Sequence, residues 1–466
     1  MVSTNKLVDG TAQYRVAFPA EPTAPGQSPK RGIFGWFAKT LPQHFFESLK
    51  KDFDLAGNSC IFTPQVTGWL MIVQRLCPKG TLETAVGELL HGNGRELLES
   101  CKLVRGEKIS AATGAYSQAR QRIPAEAARR ITERTFEQLH RIRQGDTLRD
   151  RLFLLDGSSI RLAHAPAVVK EYPPAKNQHG DSHWPVMRLA VMHHVVTGLA
   201  MAPYFGPMYG PKAVGEQELA EALIDRLPES SVLIGDRNFG VFSVAWHAHK
   251  CGHKVLVRLT EPRAGKLNGG SDPVAGSDRK VTWQPGEGDR RGHPELTGEE
   301  RMEGRLIAIF SEEALEILYL FTTLEEETAE TVALLYKERW HIETDLRSLK
   351  EQVRLHTIPA RSPGLVACEL LMAIACYNLI RALMAEAAKQ IGIEPRRLSF
   401  SRSRAMFRAF SRAVSHVESE EEFQRRWKIL LRSISQCKLP QRNRPSAPRE
   451  IWQVRQNFPS RKVQKT

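Results

Sequence analysis

Short apolar runs of strand length alternate with helical segments between residues 152 and 259, and this alternation limits the possible folds more than any other feature. The runs are rich in Val, Ile, Leu and Phe, while the segments between them carry apolar residues at three- and four-residue spacing. Such alternation predicts an α/β core built on a central sheet. The predicted elements are strands 153–155, 187–194, 200–205, 231–234 and 254–259, a hairpin joining the second and third strands, and helices 215–227 and 242–250.

Two aspartates directly follow predicted buried strands. Asp156 comes after residues 152–155 and opens a predicted Asp-Gly-Ser-Ser turn, and Asp236 comes after residues 232–234. A carboxylate at such a strand end lies at the mouth of an α/β sheet, where ligands usually bind, and it is costly to desolvate unless it is paired or bound to a metal. Taken singly, each could be only a turn former or helix cap. The two aspartates are therefore candidate site residues only when considered together.

A long helix is predicted over residues 327–355, and one face of it is unusually polar. A carboxylate flanked by a phenol and three cations offers a metal ligand beside groups that bind phosphate oxygens, which Arg can contact in bidentate fashion. The alternative is a solvated face with i, i+4 ion pairs. At about 100° per residue, the residues that share this narrow stripe are Tyr336, Arg339, Glu343, Arg347 and Lys350.

The spacing of Tyr336, Arg339, Glu343 and Lys350 resembles the Y-R-E-K signature of bacterial insertion-sequence transposases of the IS-four group. Other segments resemble further blocks of that group in the same order, and the resemblance extends over about residues 108–385. These segments are 156–159, 177–180 with Trp184-Pro185, 235–240 and 377–381.

This resemblance implies an RNase H-like catalytic core with Asp156, Asp236 and Glu343 as a DDE triad. It implies a transposase that binds the terminal inverted repeats of an insertion sequence, cleaves DNA through a hairpin end, and joins the 3′-hydroxyl ends to target DNA. Hard oxygen ligands suit Mg²⁺, with Mn²⁺ as a substitute, and two ions on the triad can stabilise the attacking and leaving oxygens. The expected DNA contacts are Tyr336, Arg339, Lys350, Arg347 and Arg237.

The remaining sequence predicts flanking regions and an insertion. Residues 41–150 show helical periodicity with a possible helix-turn-helix at 109–123, and Gly-, Pro-, Asp- and Arg-rich sequence with short strand-like pieces follows residue 260. The predicted units are a polar N-terminal segment (1–40), a helical DNA-binding domain (41–150), the core (151–260), a β-rich insertion (261–325), the core with its signature helix (326–390), and a basic helical C-terminal region for DNA binding and dimerisation (391–466).

The chain is strongly basic, with a formal net charge of +14 and a pI near 9.5. Most of the excess lies in residues 391–466, which hold 18 Lys and Arg against six Glu and no Asp. Lys and Arg that neutralise phosphates release counterions, so this excess favours a polyanionic partner, although a lone charge run is more often a solvated tail. Double-stranded DNA, as transposon ends and target, is the expected partner, and the resemblance adds a homodimer that bridges two ends.

No secretory signal and no membrane segment are expected. Residues 1–32 contain no apolar stretch typical of a signal peptide. The most apolar stretch, 370–380, is shorter than the ~18 residues that cross a bilayer. Seven scattered cysteines are more typical of reduced thiols than of a disulfide framework. We therefore expect a cytoplasmic bacterial protein associated with the nucleoid.

Two further signals are interpreted as ordinary structure. His247, His249, Cys251 and His253 resemble a metal tract, but spacing of two suits a flat strand better than a compact tetrahedral site. Trp283 could stack on an extruded base, although packing is its commoner role.

Two alternative functions stay open. One is a metal-dependent DNA nuclease without strand transfer, which the Y-R-E-K stripe disfavours because end-holding residues are useful mainly when a cut end is used again. The other is a catalytically inactive, transposase-derived DNA-binding protein, which the presence of all three carboxylates disfavours.

Overall fold

A central mixed β-sheet with helices packed around it organises the computed structural model. The structure describes residues 37, 40–55, 61–77, 80–93, 109–141, 147–177, 180–311, 316–356, 358–414, 417 and 419–440. The α/β class predicted from the alternation of strands and helices is confirmed in this mixed form.

The sheet has the strand order β2-β3-β1-β5-β6-β9-β8-β7, with β4 paired to β3. Strand β1 is parallel to β5, and β5 is parallel to β6, whereas the other pairs are antiparallel. The predicted hairpin is confirmed as the pairing of β3 with β4. The strands are β1 Leu152–Arg161, β2 Pro174–Asn177, β3 Gly180–His194, β4 Tyr204–Pro207, β5 Val232–Gly235, β6 Lys254–Leu259, β7 Asp278–Trp283, β8 Met302–Ser311 and β9 Glu316–Thr322.

The helices precede, connect and follow these strands. They are α1 Gln43–Asp52, α2 Pro64–Leu76, α3 Leu82–Leu90, α4 Gly114–Gln121, α5 Ala125–Arg141, α6 Pro166–Glu171, α7 Glu216–Ile224, α8 Phe242–Lys250, α9 Glu261–Leu267, α10 Glu287–Gly292, α11 Ala329–Lys337, α12 Trp340–Arg347, α13 Pro363–Lys389, α14 Phe400–Val414 and α15 Glu420–Ser435. Short 3₁₀ turns occupy Leu148–Arg151 and Pro395–Arg397, and a π-helical turn occupies Ser348–Gln352.

The predicted turn at Asp156 is wrong. Strand β1 continues through Asp156 because its antiparallel pairing with β3 runs unbroken from Phe153 opposite His194 to Arg161 opposite Val186. What ends before Asp156 is the parallel pairing with β5, whose last pair is Leu155 with Gly235. The aspartate therefore lies at an edge of the parallel part of the sheet without interrupting its own strand.

The β-rich stretch predicted as an insertion continues the central sheet. Strand β9 pairs antiparallel with β6, and β8 and β7 follow outward from β9. Trp283, at the end of β7, is buried and contacts Phe242 and Phe321 with ring centroids 5.8 Å and 4.7 Å away. Packing is therefore the role that the structure gives to Trp283.

Helix α13 is the central helix of the core. It contacts α5, α2, α14 and α15, and it shares a hydrophobic cluster with them. By length and composition alone α13 could cross a membrane, but 83% of its most apolar window is buried within the protein. Neighbouring helices thus cover the apolar surface that a bilayer would otherwise contact.

The helix-turn-helix predicted at residues 109–123 is wrong. Residues 109–113 are not helical, and α4 begins at Gly114. Arg120, at the end of α4, is buried and forms an ion pair with Glu369 of α13, which also pairs with Arg75 at 2.8 Å. These arginines compensate a buried carboxylate, so they are not exposed for phosphate binding.

The single long helix predicted over residues 327–355 is also wrong. A turn at residues 338–339 separates α11 from α12, and α12 passes into the π-helical turn. In that turn the Val353 amide donates to the Ser348 carbonyl, five residues earlier. A wider turn rotates the side chains that follow it relative to an α-helical stripe.

Candidate active site

Pairing in the sheet brings Asp156 and Asp236 side by side. The parallel register places Leu155 opposite Gly235, and the two aspartates are the next residues on β1 and after β5. Adjacent strands lie about 4.8 Å apart, so side chains that leave them at the same level are neighbours. The resemblance implied that the two aspartates belong to one triad, and the structure places them on adjacent strands.

Glu343 reaches the same edge of the sheet from α12. The residue before it, Ile342, is fully buried in a hydrophobic cluster that includes Leu154 of β1 and Ile234 of β5. This packing holds the start of α12 against the strands that carry the two aspartates. Asp156, Asp236 and Glu343 consequently line one cavity of about 370 Å³, together with Arg237, Arg258, Glu316, Tyr336 and Arg339.

The carboxylates of this cavity repel one another. The pKa of Asp156 is raised to about 6, mainly by burial and also by the neighbouring Asp236, although a hydrogen bond from the Gly157 amide lowers it. Asp236 accepts a 2.8 Å hydrogen bond from the Asn238 amide, and Glu343 lies 3.9 Å from the Arg339 guanidinium. A divalent cation would relieve this repulsion, so the donor set fits a metal.

The three carboxylates are spread more widely than the ligands of one ion. Among the described residues, the only three-residue group of candidate ligands within 4.8 Å of one another is Asp225, His247 and Cys251. A single Mg²⁺ about 2.1 Å from each oxygen would need ligand oxygens within about 4.2 Å of one another. As placed, the triad is therefore too wide for one ion contacted by all three residues.

A fourth carboxylate beside this site was missed in the sequence. Glu216, at the start of α7, accepts a 2.6 Å hydrogen bond from the Asn238 side chain and raises the pKa of Asp156. Its carboxylate lies 2.4–2.7 Å from where a Cβ on Gly157 would be. The glycine after Asp156 was thus the available signal, since it leaves room for a close approach.

An ion pair on the opposite wall was missed as well. Arg258 of β6 and Glu316 of β9 both line the cavity, and their side chains are 3.0 Å apart. The antiparallel pairing of β6 with β9 brings them together. No local pattern marks such a pair, because its two members are far apart in the chain.

The predicted phosphate-binding residues do not all reach the cavity. Tyr336, Arg339 and Arg237 line it, and the buried Tyr336 hydroxyl has no hydrogen-bond partner among the residues that the structure describes. Burial raises the pKa of Tyr336 to about 12, so the phenol stays protonated as a donor.

Arg347 and Lys350 do not line the cavity, and the prediction of one shared stripe is wrong for Lys350. Arg347 lines a different cavity beside Arg381 and Arg396. Lys350 belongs to the π-helical turn, and its carbonyl accepts a hydrogen bond from the His356 ring. Arg347 stays one helical turn after Glu343 on α12, whereas the π-helical turn shifts Lys350 from the position that an ideal helix would give.

A buried charge cluster fixes the orientation of α12. Asp345 is fully buried and pairs with Arg381 of α13 and, at 2.8 Å, with Arg396. The Tyr377 hydroxyl also donates to Asp345 at 3.1 Å. Although burial opposes ionisation, Arg396 and Arg381 lower the pKa of Asp345 to about 2. Because Asp345 lies two residues after Glu343, this cluster positions the third carboxylate of the cavity.

Gly240→Ala is expected to damage the site through the backbone. A Cβ at Gly240 would lie 1.9 Å from the Arg258 carbonyl oxygen, and the Gly240 amide donates to the Asp236 carbonyl at 3.0 Å. The clash must therefore move the turn that carries Asp236 or the end of β6. We expect a loss of about 3 kcal/mol in the free energy of unfolding, measured by urea denaturation, because overpacking costs ~1–3 kcal/mol.

Gly288→Ala is the matched control, since a Cβ there meets no atom of the described residues within 4 Å. If Gly240→Ala were as stable as Gly288→Ala, a side chain at position 240 could be accommodated beside the Arg258 carbonyl oxygen without cost.

Residues 147–379 match the family of the transposase DDE domain, and the chain belongs to this family. Over 317 residues it is 25% identical to the transposase InsG for insertion sequence element IS4 of Escherichia coli strain K12, which covers 65% of this chain and 68% of that protein. Among solved structures, it is similar to the piggyBac transposase synaptic complex with hairpin DNA, with a TM-score of 0.39 and 10% identity over 84% of each chain.

The protein is thus a DDE transposase of the IS4 type, which confirms the resemblance seen in the sequence. The family consists of DNA-cleaving and DNA-joining enzymes that generally use divalent metal ions.

Proposed function

We propose that this transposase binds the terminal inverted repeats of an insertion sequence, cleaves the DNA there and joins the 3′-hydroxyl ends to target DNA. Asp156, Asp236 and Glu343 would be its catalytic residues. The observation that carries the proposal is the meeting of these carboxylates in one cavity, although they come from β1, the end of β5 and α12. Three acids separated by 80 and 107 residues along the chain rarely converge beside cationic side chains without a functional reason.

The three carboxylates would hold divalent cations, with Mg²⁺ as the expected ion and Mn²⁺ as a substitute, because both prefer oxygen ligands. Two ions per active site are expected from the resemblance to insertion-sequence transposases. When bound, such a pair supplies charge neutralisation at the attacking and leaving oxygens of a phosphoryl transfer. The carboxylates themselves set the position of this charge relative to the DNA strand.

Tyr336, Arg339 and Arg237 would hold the phosphates of the end being cut. The Tyr336 hydroxyl, which has no hydrogen-bond partner among the described residues, can donate to a phosphate oxygen, and the two guanidinium groups can neutralise the phosphate charge. Positioning and charge neutralisation are the main contributions that a protein makes to phosphoryl transfer. Water would attack first and leave a 3′-hydroxyl, which would then attack the opposite strand to form a hairpin that water reopens before joining.

Lys350→Ala is expected to weaken handling of the cleaved end more than the first cut. Lys350 is half-buried next to α12 but outside the cavity, so it would contact DNA beyond the scissile phosphate. Loss of one charge-assisted contact costs about 1.5–3 kcal/mol, which predicts a fall of ~10- to 100-fold in hairpin formation. Labelled DNA carrying one end separates nicked from hairpin products on a denaturing gel.

Lys389→Ala, at the exposed end of α13, is the control for loss of a positive charge. If Lys350→Ala formed hairpins as fast as Lys389→Ala does, Lys350 would have no role in binding the cleaved end. Arg347, exposed at the end of α12, is proposed to contact DNA in the same outer region.

The basic C-terminal region is proposed to bind DNA outside the active site. Its arginines and lysines carry most of the net positive charge of the chain. Two protomers would bridge the two transposon ends, and the complex would form in the cytoplasm on the nucleoid. These proposals rest on charge and on the family to which the chain belongs.

One experiment tests the proposed function against its alternatives. The purified protein is incubated with Mg²⁺, a target plasmid and labelled DNA carrying candidate terminal repeats. Joined products support the transposase, nicks without joining indicate a nuclease, and a shifted but uncut band indicates a DNA-binding protein without catalytic activity.

A further inference from the structure

A second group of metal-ligating side chains lies away from the cavity of the triad. Asp225 directly follows α7, His247 lies in the last turn of α8, and Cys251 directly follows α8. The His247 Nε2–H donates to the Asp225 Oδ1 at 2.6 Å, and the Cys251 thiol lies 3.7 Å from the same oxygen. One ligand atom from each residue lies within 4.8 Å of the other two.

Helix geometry explains why the sequence did not predict this group. The spacing of two along His247, His249, Cys251 and His253 was judged by the geometry of a flat strand, although His247 and His249 lie in the predicted helix 242–250, whose bounds the structure confirms. Residues four apart lie on the same face of a helix, so His247 and Cys251 come together. His249 faces Trp246 instead, with ring centroids 5.8 Å apart.

We propose that Asp225, His247 and Cys251 bind a borderline-soft divalent ion, with Zn²⁺ as the best match. Imidazole nitrogen, thiolate sulfur and carboxylate oxygen are the three donor types that zinc takes in proteins, at about 2.0–2.3 Å. A thiolate ligand disfavours Mg²⁺, which selects oxygen. The proposed site is therefore chemically different from the three carboxylates of the active site.

The surroundings offer a fourth ligand and further partners. Glu221 lies one helical turn before Asp225 on α7, and its carboxylate is 3.6 Å from the His293 ring. Water can occupy the fourth position. Asp225 and Cys251 are exposed and His247 is half-exposed, so an ion can enter from solvent without opening the core.

An ion at this site would stabilise the fold and would take no part in DNA cleavage. Glu216, at the first residue of α7, adjoins the active site, whereas Asp225 follows the opposite end of the same helix. Nine residues of helix separate the two by about 13 Å at 1.5 Å per residue. A bound ion would join the end of α7 to the end of α8 and so brace the two helices that flank the strand before Asp236.

Cobalt provides the most specific test, because a thiolate bound to Co²⁺ gives a charge-transfer band that carboxylates and imidazoles do not give. The full-length protein is stripped with a chelator and titrated with Co²⁺ under reducing conditions. We expect one ion per chain with this band and with the visible spectrum of a tetrahedral site, and we expect Zn²⁺ to displace it. Absence of the band in the wild-type protein would overturn the proposal.

The variants assign the ligands. Cys251→Ser should abolish the band, and His247→Ala should weaken binding by more than about 100-fold, because loss of an outer-shell contact alone costs ~10- to 100-fold. His249→Ala, on the same helix but facing Trp246, should bind as the wild type does. An unchanged band in Cys251→Ser would place the cobalt on another cysteine and refute the site.

This inference does not depend on the proposed function. The band is expected at the same strength in Asp156→Asn, whose active site is altered. The unfolding temperature of wild-type protein should rise with added Zn²⁺, and that of Cys251→Ser should not, since a ligand stabilises the folded state to which it binds.

Discussion

Asp156→Asn is expected to reduce DNA strand cleavage by at least about 1,000-fold while DNA binding is retained. Loss of a single preorganised electrostatic contact already costs ~10²- to 10³-fold in rate, and here the lost group is also a proposed metal ligand. The substitution keeps the shape of the side chain and its hydrogen bond from the Gly157 amide, so folding should be preserved. Nicking of labelled DNA in Mg²⁺ measures cleavage, and a gel shift in Ca²⁺ measures binding.

Asp236→Asn and Glu343→Gln are expected to behave in the same way, because all three carboxylates line the same cavity. Glu351→Gln is the matched control, since Glu351 is an exposed glutamate in the π-helical turn after α12 and does not line that cavity. Near-full cleavage by any one triad variant would remove that residue from the catalytic set.

Asp345→Asn is expected to lower the free energy of unfolding by about 3–5 kcal/mol, the cost of removing one partner of a buried ion pair. Two buried guanidinium groups, Arg381 and Arg396, would remain without their carboxylate. Cleavage should fall as well, because Asp345 holds the helix that carries Glu343. Urea denaturation gives the stability, and the nicking assay on the folded protein gives the activity.

The exposed Asp272 provides the control, since Asp272→Asn should change stability by no more than about 0.5 kcal/mol. If Asp345→Asn were as stable as this control, the orientation of α12 would have to be set by apolar packing alone.

The ionisation of Asp345 should also make the stability of the folded protein depend on pH. The pKa of Asp345 is about 2 in the folded protein and lies below its ordinary value of 3.8. Because folding lowers this pKa, the ionised Asp345 stabilises the folded protein at pH values above the pKa that Asp345 has in the unfolded chain. This stabilisation is lost as the pH falls through the pKa of the folded protein. Wild-type protein should therefore lose more stability between pH 4 and pH 2 than Asp345→Asn does.

Local sequence patterns predicted much of the sheet and its nearest helices. The predicted bounds of α8 and β6 agree with the structure, because apolar periodicity and the glycine at position 252 are local signals. Both aspartates were recognised by their positions after predicted strands, whereas the parallel pairing that brings them together is seen only in the structure. The continuation of β1 through Asp156 could not be predicted, because it depends on pairing with β3, about 30 residues later.

Long-range contacts account for the rest of the differences. The break between α11 and α12 and the π-helical turn are not encoded by Pro or Gly within residues 336–352, so an ideal stripe was the natural prediction. Glu216 and the Arg258 to Glu316 ion pair join the site through contacts between distant segments. The metal-ligating group at His247 was missed for a different reason: the spacing of two was judged as that of a strand, although His247 and Cys251 are four residues apart at the end of the predicted helix 242–250.

Asp156, Asp236 and Glu343 together are proposed to hold the divalent ions used for cleavage. Counting the bound Mn²⁺ ions by electron paramagnetic resonance tests this proposal most directly. The measurement uses protein bound to an uncleaved DNA end, in a Cys251→Ser background that removes the other proposed site. Two ions per active site are expected in the protein with an intact triad, and fewer in Asp156→Asn, Asp236→Asn and Glu343→Gln. The same number of ions in the intact protein and in all three variants would contradict the account.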